Sequence, residues 1–489
     1  MAGNRITPDW ETIRANRGHR AKLQLLNGSG DKPAPVAVPE ADDEKTAGEV
    51  GDPPLLTEHG VAVAFERRHK DELRYCHHTG AWYVWTDDTH WKRNGTKLAF
   101  SWARRLVADM NRDEEIKIQA ITGKSAFASG VERFAQADPA FAVTSEIWDR
   151  DPFLLGTPGG TINLRTAEML PARHGDYITK VTAVAPADAP DCPQWLAFLD
   201  QATAGDQGFI RLLQQWCGYS LTGDTREHAL LFVFGTGGNG KSVFLNTVVG
   251  IMGNYATTAA METFTASKHD RHPTDLAMLR GARMVCATET EEGRAWAETR
   301  LKQLTGGDRI SARFMHKDFF EFWPQFKLLI IGNHKPRLKN VDDAARRRIN
   351  MGPFVHKPAV PDSELEEKLI AEWPAILRWM IEGCLDWLKH GLVRPQVVLD
   401  ATAEYFAAQD HFGQWLAECC VMGKDKSAKP SDLRKSFTEW CATNGVQAKD
   451  GPGFKELIEN TKGIRQVKLH GNLTVLGVEL RLQNNELAV

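Results

Sequence analysis

Residues 230–251, with the sequence LLFVFGTGGNGKSVFLNTVVGI, decide the fold of this chain. Five consecutive apolar residues predict a buried strand, and the apolar spacing after Ser242 predicts a helix. The glycines between them let the backbone curl, and the first N–H groups of a helix attract an anion. The stretch therefore predicts a strand, a phosphate-binding loop and a helix, the pattern that opens a parallel α/β sheet.

The loop of this pattern predicts how a nucleoside triphosphate is held. Lys241 is expected to reach the β- and γ-phosphates, and Ser242 to hold Mg²⁺. A chance glycine-rich octet is the alternative, and the flanking strand and helix disfavour it. ATP and Mg²⁺ are therefore the expected cofactors. The residues expected to bind the nucleotide are Gly235, Thr236, Gly237, Gly238, Asn239, Gly240, Lys241 and Ser242.

A second strand-like run, residues 281–288, ends at a group of acidic residues. A phosphate loop needs a carboxylate opposite the γ-phosphate, to hold magnesium and the attacking water. Glu289 is therefore expected to help hold Mg²⁺ or to polarise water, with Glu291 or Glu292 as the second carboxylate. An acidic surface turn is the alternative, which the position one strand after the phosphate loop disfavours.

Two further features follow along the chain. The apolar run 326–331 predicts a third strand, and Asn333 just after it could sense the γ-phosphate, although asparagine at a strand end is often a turn former. The triple arginine at 346–348 comes next. It is either a solvated or DNA-facing cluster or, in a ring-shaped motor, the source of an arginine that reaches the neighbouring subunit's nucleotide.

Composition limits the class of protein. The 489 residues, of which 42% are hydrophobic, suffice for two to four domains with buried cores. The net charge of −3 argues against a protein wrapped in nucleic acid, so any DNA contact must be local. Neither a run of 18 apolar residues nor a signal-peptide pattern occurs. We therefore expect a cytoplasmic protein without a membrane span.

Composition and periodicity change along the chain at three places. Residues 1–55 are predicted to be a disordered linker preceded by a short basic segment, either a solvated tail or a DNA arm. Residues 56–220 predict a mixed, mainly helical domain with a hairpin near 81–91. Residues 221–395 contain the phosphate loop and form the predicted ATPase domain. Residues 396–489 predict helices followed by a closing pair of strands.

In combination these segments resemble the superfamily 3 helicases, and specifically the phage and plasmid primase-helicases related to the poxvirus primase-helicase. The resemblance covers most of the chain from about residue 60, and only the phosphate loop is specific by itself. Besides that loop, the matching segments are GYSLTG at 218–223, ETEE at 289–292, LKQLTGGD at 301–308, GNHKP at 332–336 and the arginine segment that ends at Phe354.

The resemblance implies an AAA+ type core and a role for each matching residue. Lys241 and Ser242 become the Walker A residues, and Glu289 and Glu291 the Walker B residues. Asn333 becomes sensor 1. The other implied assignments are Arg347 as the arginine finger, Arg348 as its reserve and Lys302 as a residue facing DNA or nucleotide.

The resemblance also implies two DNA contacts. A hairpin in the interval that contains 313–318 would place His316 and Lys317 against the DNA backbone in a central channel, with an ordinary exposed hairpin as the alternative. Residues from about 400 resemble a winged helix, with helices at 433–441 and 454–460 and a wing at 467–482. Its basic residues suit duplex DNA, although a protein-binding winged helix is nearly as well supported.

The expected protein is therefore an ATP-dependent DNA helicase, a homo-hexamer that acts on single-stranded or forked DNA in replication of a phage, prophage or plasmid. A replication initiator or loader without processive unwinding is one alternative, and a nucleotide-dependent switch or defence ATPase is another. Because only about fifty linker-like residues precede the matching part, we expect no primer synthesis, and a separate primase or polymerase as partner.

Overall fold

The structure, a computed structural model, describes residues 55–266, 274–288, 294–315, 317–338, 343–469 and 471–481. These residues belong to one compact unit that begins at Pro54. The predicted N-terminal tail and the site candidates Glu289, Glu291 and His316 lie outside the described residues. Among the helices within the described ranges, none has both the length and the apolar character needed to cross a membrane.

The first part of the chain folds around an apolar core that includes Val61, Phe65, Leu73, Trp82 and Phe141. Its four-stranded sheet has the order β3-β2-β1-β4, in which β1, β2 and β3 are antiparallel. The predicted hairpin near 81–91 is thereby confirmed. The elements are α1 (Glu58–His69), β1 (Leu73–Cys76), β2 (Ala81–Thr86), β3 (His90–Arg93), α2 (Leu98–Met110), α3 (Ile116–Thr122), α4 (Ser125–Ala137) and β4 (Ala142–Val143).

A small antiparallel sheet and two helices come next. Leu154–Thr157 and Gly160–Asn163 form two antiparallel strands because Pro158 and Gly159 turn the chain back, and Gly160 adopts a φ of 131°. The elements are β5 (Leu154–Thr157), β6 (Gly160–Asn163), β7 (Glu168–Leu170), α5 (Pro193–Ala202) and α6 (Gln207–Leu221). Helices contain more residues than strands in this part of the chain, which agrees with the predicted mixed, mainly helical composition.

The central element is a five-stranded parallel sheet with the order β14-β8-β13-β10-β9, which confirms the predicted parallel α/β sheet. A separate two-stranded hairpin, β11 and β12, precedes β13. The elements are β8 (Leu230–Phe234), α7 (Lys241–Met252), β9 (Ala256–Thr258), α8 (Thr274–Ala277), β10 (Met284–Thr288), α9 (Glu298–Gly306), β11 (Ile310–Ala312), β12 (Phe320–Phe322), β13 (Lys327–Gly332), α10 (Asp343–Arg348), β14 (Ile349–Pro353), α11 (Leu365–His390) and α12 (Gln396–Gln409).

Both faces of this sheet are covered, as the continuous apolar sequence of β8 requires. Leu231 and Val233 point into one core, and Leu230 and Phe232 point into the other, because successive side chains of a strand face opposite sides. Burying each such side chain contributes about 1.5–3 kcal/mol. The first core contains residues of α5, α6, α7 and α11, so it continues across the predicted domain boundary at residue 220.

Two buried cations tie the sheet to the preceding segment. Arg283 donates to the carbonyl oxygens of Leu221, at 2.6 Å, and Leu154, at 2.8 Å. Lys327 Nζ donates to the carbonyl oxygens of Thr222 and Asp224. Burial, aided by the charge of Arg283, lowers the pKa of Lys327 well below its ordinary value. Both residues lie at the amino ends of their strands, so this edge of the sheet is anchored to residues 154–224.

The last part of the chain has its own apolar core, which includes Trp415, Phe437 and Phe454. Its elements follow the order helix, strand, helix, helix, strand, strand, and its sheet has the order β15-β17-β16. The predicted helices at 433–441 and 454–460 lie within α14 and α15. The elements are α13 (His411–Cys419), β15 (Cys420–Ala428), α14 (Pro430–Thr443), α15 (Gly451–Asn460), β16 (Arg465–Leu469) and β17 (Asn472–Leu480).

Candidate functional site

The glycine-rich loop connects the end of β8 to the first residue of α7. Gly238 and Gly240 have φ values of 81° and 82°, which side chains other than glycine rarely adopt. A Cβ on Gly235 would lie 1.8 Å from the carbonyl oxygen of Phe354, so glycine is required there by space. An added Cβ at Gly237 or Gly238 would meet nothing within 4 Å. A phosphate group can therefore approach the backbone of the loop.

Lys241 is held inside this loop and is only 7% exposed. Its Nζ atom donates to the carbonyl oxygen of Gly235 at 2.8 Å and to Oδ1 of Asn239 at 2.7 Å. The amide of Asn239, itself 2% exposed, donates to the carbonyl oxygen of Phe354. Ser242, whose side chain is exposed, is the second residue of α7. A cation and a hydroxyl are thus placed where the loop can receive an anion and a hydrated metal ion.

Three strands end at the edge of the sheet where this loop begins. Gly332 pairs with Phe234, and Thr288 pairs with Ile331, because these strands are parallel. The exposed Asn333 therefore follows its strand at the same edge as the loop. Glu289, which comes directly after Thr288 in the sequence, and Glu291 lie outside the described residues, so their roles stay predictions.

Lys335 lies at the same edge, and the sequence reasoning missed it. Its Nζ atom is 3.9 Å from the centroid of the Phe234 ring, at the last residue of β8. Burial lowers the pKa of Lys335. Lys335 belongs to the GNHKP segment, but a lysine three residues after a strand end carries no spacing signal of its own.

The arginine segment lies at the opposite edge of the sheet. The strands β14 and β8 are parallel, and their first residues, Ile349 and Leu230, are paired. Arg346–Arg348 directly precede β14, so they lie beside the amino end of β8. Five strand residues at roughly 3.3 Å each separate that end from the glycine loop. The segment is thus distant from the loop of its own chain.

The three arginines have different contacts within the chain. Arg348 Nε donates to Thr305 Oγ1 at 3.2 Å, and Nη1 donates to the carbonyl oxygen of Ala344 at 3.0 Å. The guanidinium of Arg346 lies 5.0 Å from the centroid of the Phe406 ring. Arg347 is exposed, and its Nε donates to the carbonyl oxygen of Asp343 at 3.2 Å. Arg347 is thus better placed than Arg348 to extend away from its own chain.

The predicted hairpin is formed by β11 and β12, in which Ile310 pairs with Phe322. Lys317 is exposed near its tip, where its backbone N–H donates to the carbonyl oxygen of Phe314 at 3.1 Å. His316 lies outside the described residues. Lys302 is half-buried on α9, the helix whose Thr305 contacts Arg348. The structure therefore places Lys302 on the arginine side of the sheet, and its DNA or nucleotide role stays a prediction.

Comparison with protein families finds two matches, one before the glycine loop and one that contains it. Residues 62–204 match the family described as D5 N terminal like. Residues 233–348, which run from the end of β8 through the arginine segment, match a family of unknown function, DUF5906. The second match contains the whole glycine loop, Asn333 and the three arginines.

Viral relatives match the chain over about half its length. "Putative helicase 022R" of Frog virus 3 (isolate Goorha) is 26% identical over 262 residues, which cover 49% of this chain and 27% of the relative. "Putative helicase L207/L206" of Acanthamoeba polyphaga mimivirus is 28% identical over 251 residues, which cover 46% of this chain and 26% of the relative. The match thus spans about a quarter of the length of these curated relatives.

Among solved structures, the apo A form of the NrS-1 C-terminal region aligns with a TM-score of 0.49 and 12% sequence identity. The alignment covers 88% of this chain and all of the NrS-1 chain. The family and relative matches agree with the motifs quoted above. The resemblance predicted from the sequence is therefore confirmed: this chain is similar to the primase-helicases of phages and viruses.

Proposed function

We propose that this chain is an ATP-dependent DNA helicase of superfamily 3, which works as a ring of six copies in the replication of a phage, prophage or plasmid. The observation that carries the proposal is the buried Lys241, held by carbonyl and amide oxygens within a glycine loop at the carboxyl edge of a parallel sheet. Ligands of open α/β sheets bind at this edge. The name helicase that the viral relatives carry supports the same assignment.

In this proposal the loop binds the triphosphate of ATP together with Mg²⁺. Lys241 exchanges its contacts with Gly235 and Asn239 for phosphate oxygens, and Ser242 binds the metal ion. A Mg²⁺ ion held by Ser242, with Glu289 as the expected carboxylate, would neutralise charge on the phosphates. Glu289, with Glu291, orients and deprotonates water, and Asn333 hydrogen-bonds near the γ-phosphate.

The position of the arginines supports a ring. Arg347 lies at the far edge of the sheet from its own glycine loop, so it can act only on a nucleotide bound elsewhere. A neighbouring subunit supplies such a nucleotide if subunits are arranged head to tail, an arrangement that closes into a ring. Arg347, or Arg348 as its reserve, then neutralises charge that develops during phosphoryl transfer.

DNA contact is assigned to local features because the net charge of the chain is near zero. His316 and Lys317 at the hairpin bind the backbone of a single strand, and Lys302 is a further candidate. The last part of the chain has the element order of a winged helix. In this proposal it binds duplex DNA or a protein partner, such as a separate primase or polymerase.

The decisive experiment replaces Lys241 with alanine and measures ATP hydrolysis with and without single-stranded DNA. We expect hydrolysis to fall by at least about 100-fold, because one positioned cation contributes that much or more at a charge-developing site. Lys389→Ala, which removes an exposed lysine at the end of α11, is the control and should hydrolyse ATP like the parent. Parent-like hydrolysis by the Lys241 variant would overturn the site.

Strand displacement on a forked substrate separates the helicase from the initiator or loader. Parent protein that unwinds the fork only with ATP supports the helicase. ATP hydrolysis that DNA stimulates without unwinding favours a loader, and hydrolysis with no DNA binding favours a switch.

A further inference from the structure

A cleft lies between the first part of the chain and the hairpin that precedes β13. Its volume is about 1280 Å³, and one wall contains Tyr83 and Trp148 while the other contains Phe319 and Trp323. Pockets for small molecules usually measure about 300–1,000 Å³. The cleft is therefore larger than such a pocket and can take an extended polymer.

Large apolar side chains are exposed on the hairpin wall of this cleft. Trp323 is 60% exposed and Phe319 is 59% exposed, although both are aromatic and flank the short strand β12. The opposite wall also presents aromatic rings, since Tyr83 and Trp148 stack with centroids 4.3 Å apart and an interplanar angle of 24°. Exposed aromatic rings that face a cleft favour a ligand with flat faces.

Guanidinium groups accompany the rings of the hairpin. Arg309 lies 5.1 Å from the centroid of the Trp323 ring, and Arg313 lies 4.8 Å from that of Phe319. These contacts hold the rings in place by cation–π attraction and add positive charge beside them. Alternating aromatic rings and cations are the arrangement by which proteins bind single strands without sequence preference.

The charges of the cleft are close to balance. Among the described residues that line it, five are lysine or arginine and four are aspartate or glutamate. Two of these carboxylates already have partners: Asp149 accepts from the backbone N–H of Thr179 at 2.8 Å, and Glu321 pairs with Arg309 at 3.2 Å. Phosphate attraction is therefore modest, and stacking must supply much of the affinity for a nucleic acid here.

We propose that this aromatic cleft binds single-stranded nucleic acid by base stacking, with Trp323 and Phe319 as the platforms on the hairpin wall. The proposal rests on the DNA-directed function above and adds a second kind of contact to it. His316 and Lys317 would hold the backbone electrostatically, whereas Trp323 and Phe319 would stack on bases. The occupant is a single strand because bases in a duplex are already stacked and their faces are covered.

The first test measures binding of oligo(dT) by the full chain over a range of salt concentrations. Trp323→Ala should weaken binding by about tenfold, the size of one lost base stack, and should leave the slope of log affinity against log salt unchanged. Lys317→Ala should instead reduce that slope by roughly 0.7, because it removes one phosphate contact to a single strand. Trp323→Phe keeps a flat ring and should restore most of the affinity.

The matched control is Phe134→Ala, which removes an exposed aromatic ring from α4, away from the residues that line the cleft. It should bind oligo(dT) like the parent. A second measurement cross-links an oligonucleotide containing 5-iodouracil and maps the attached peptides. We expect the adducts at Trp323, Phe319, Trp148 or Tyr83.

Three outcomes overturn the inference. Parent-like binding by Trp323→Ala at all salt concentrations, with adducts only outside the cleft, overturns it and leaves the proposed helicase function standing. A Trp323→Ala variant that binds DNA normally but no longer assembles shows that the rings contact a second copy instead. If the parent protein does not bind DNA, both this inference and the DNA-binding part of the proposed function are wrong. The ATPase part of the proposed function is tested separately by Lys241→Ala.

Discussion

The glycine loop and the hairpin are both short connections beside the same sheet, but they distribute polar and apolar groups in opposite ways. In the loop, a lysine and an asparagine are buried and hydrogen-bonded, and Gly235 has no room for a side chain. In the hairpin, a tryptophan and a phenylalanine are exposed and accompanied by arginines. Each arrangement is costly for folding by itself, and each becomes favourable when a ligand of matching chemistry is bound.

This difference indicates which property of each region a substitution should change. The loop is a packed structure, so adding or removing a single group should change both its stability and its ligand binding. The hairpin rings pack against little, so their removal should affect binding alone. The three predictions that follow test this contrast, from the largest expected effect to the smallest.

The largest effect is expected for Gly235→Ala. The added methyl would lie 1.8 Å from the carbonyl oxygen of Phe354, so the backbone of the loop or of the segment after β14 must move. Overpacking of this kind destabilises by about 3 kcal/mol. Thermal unfolding without nucleotide should show the loss. Gly237→Ala is the control, because its methyl would meet nothing within 4 Å, and its unfolding midpoint should match that of the parent.

An intermediate effect is expected for Asn239→Ala. The change leaves the buried carbonyl oxygen of Phe354 without the amide that donates to it, and it removes one acceptor from Lys241. A buried polar group that loses its partner costs about 1–3 kcal/mol. The KM for ATP should also rise, because Lys241 is less well positioned. Asn246→Ala, on the exposed side of α7, is the control, and equal effects of the two changes would contradict a packed loop.

The smallest effect is expected at an ion pair that belongs to neither region, between Arg211 on α6 and Asp386 on α11. Hydrogen bonds from Arg211, His390 and Gln215 lower the pKa of Asp386 from 3.8 to about 2. The pair is partly exposed, so Asp386→Asn should destabilise by only about 0.5–1 kcal/mol at neutral pH.

The sign of its pH dependence follows from the lowered pKa. A carboxyl group with a lower pKa in the folded state stabilises at pH values above its unfolded pKa, and this contribution is lost as pH falls from about 4 to about 2. Urea unfolding of the parent and of Asp386→Asn at pH 7 and at pH 3 checks this. A difference that grew at pH 3 would show that the pair does not act through its charge.

Much of the core could be predicted from the sequence. The run 230–251 carries strand, loop and helix signals at adjacent positions, and the apolar runs that became β10 and β13 end at polar residues. Periodicity reports local structure because burial on one or both faces of an element constrains each successive residue. The sequence predicts a hairpin in the interval that contains 313–318, but it assigns no role to the five aromatic residues at 314, 319, 320, 322 and 323. Their clustering was the available signal.

The sequence by itself determined a parallel α/β sheet with a glycine-rich loop between a strand and a helix, because glycine and apolar spacing act within a few residues of one another. Only the tertiary structure decided that Asn239 joins Lys241 to Phe354, that the arginines lie at the edge opposite to the glycine loop, and that Trp323 and Trp148 line one cleft. Each of these facts depends on the register of parallel strands and on packing between segments more than a hundred residues apart. Contacts between such distant segments produce no periodic pattern in the amino-acid sequence.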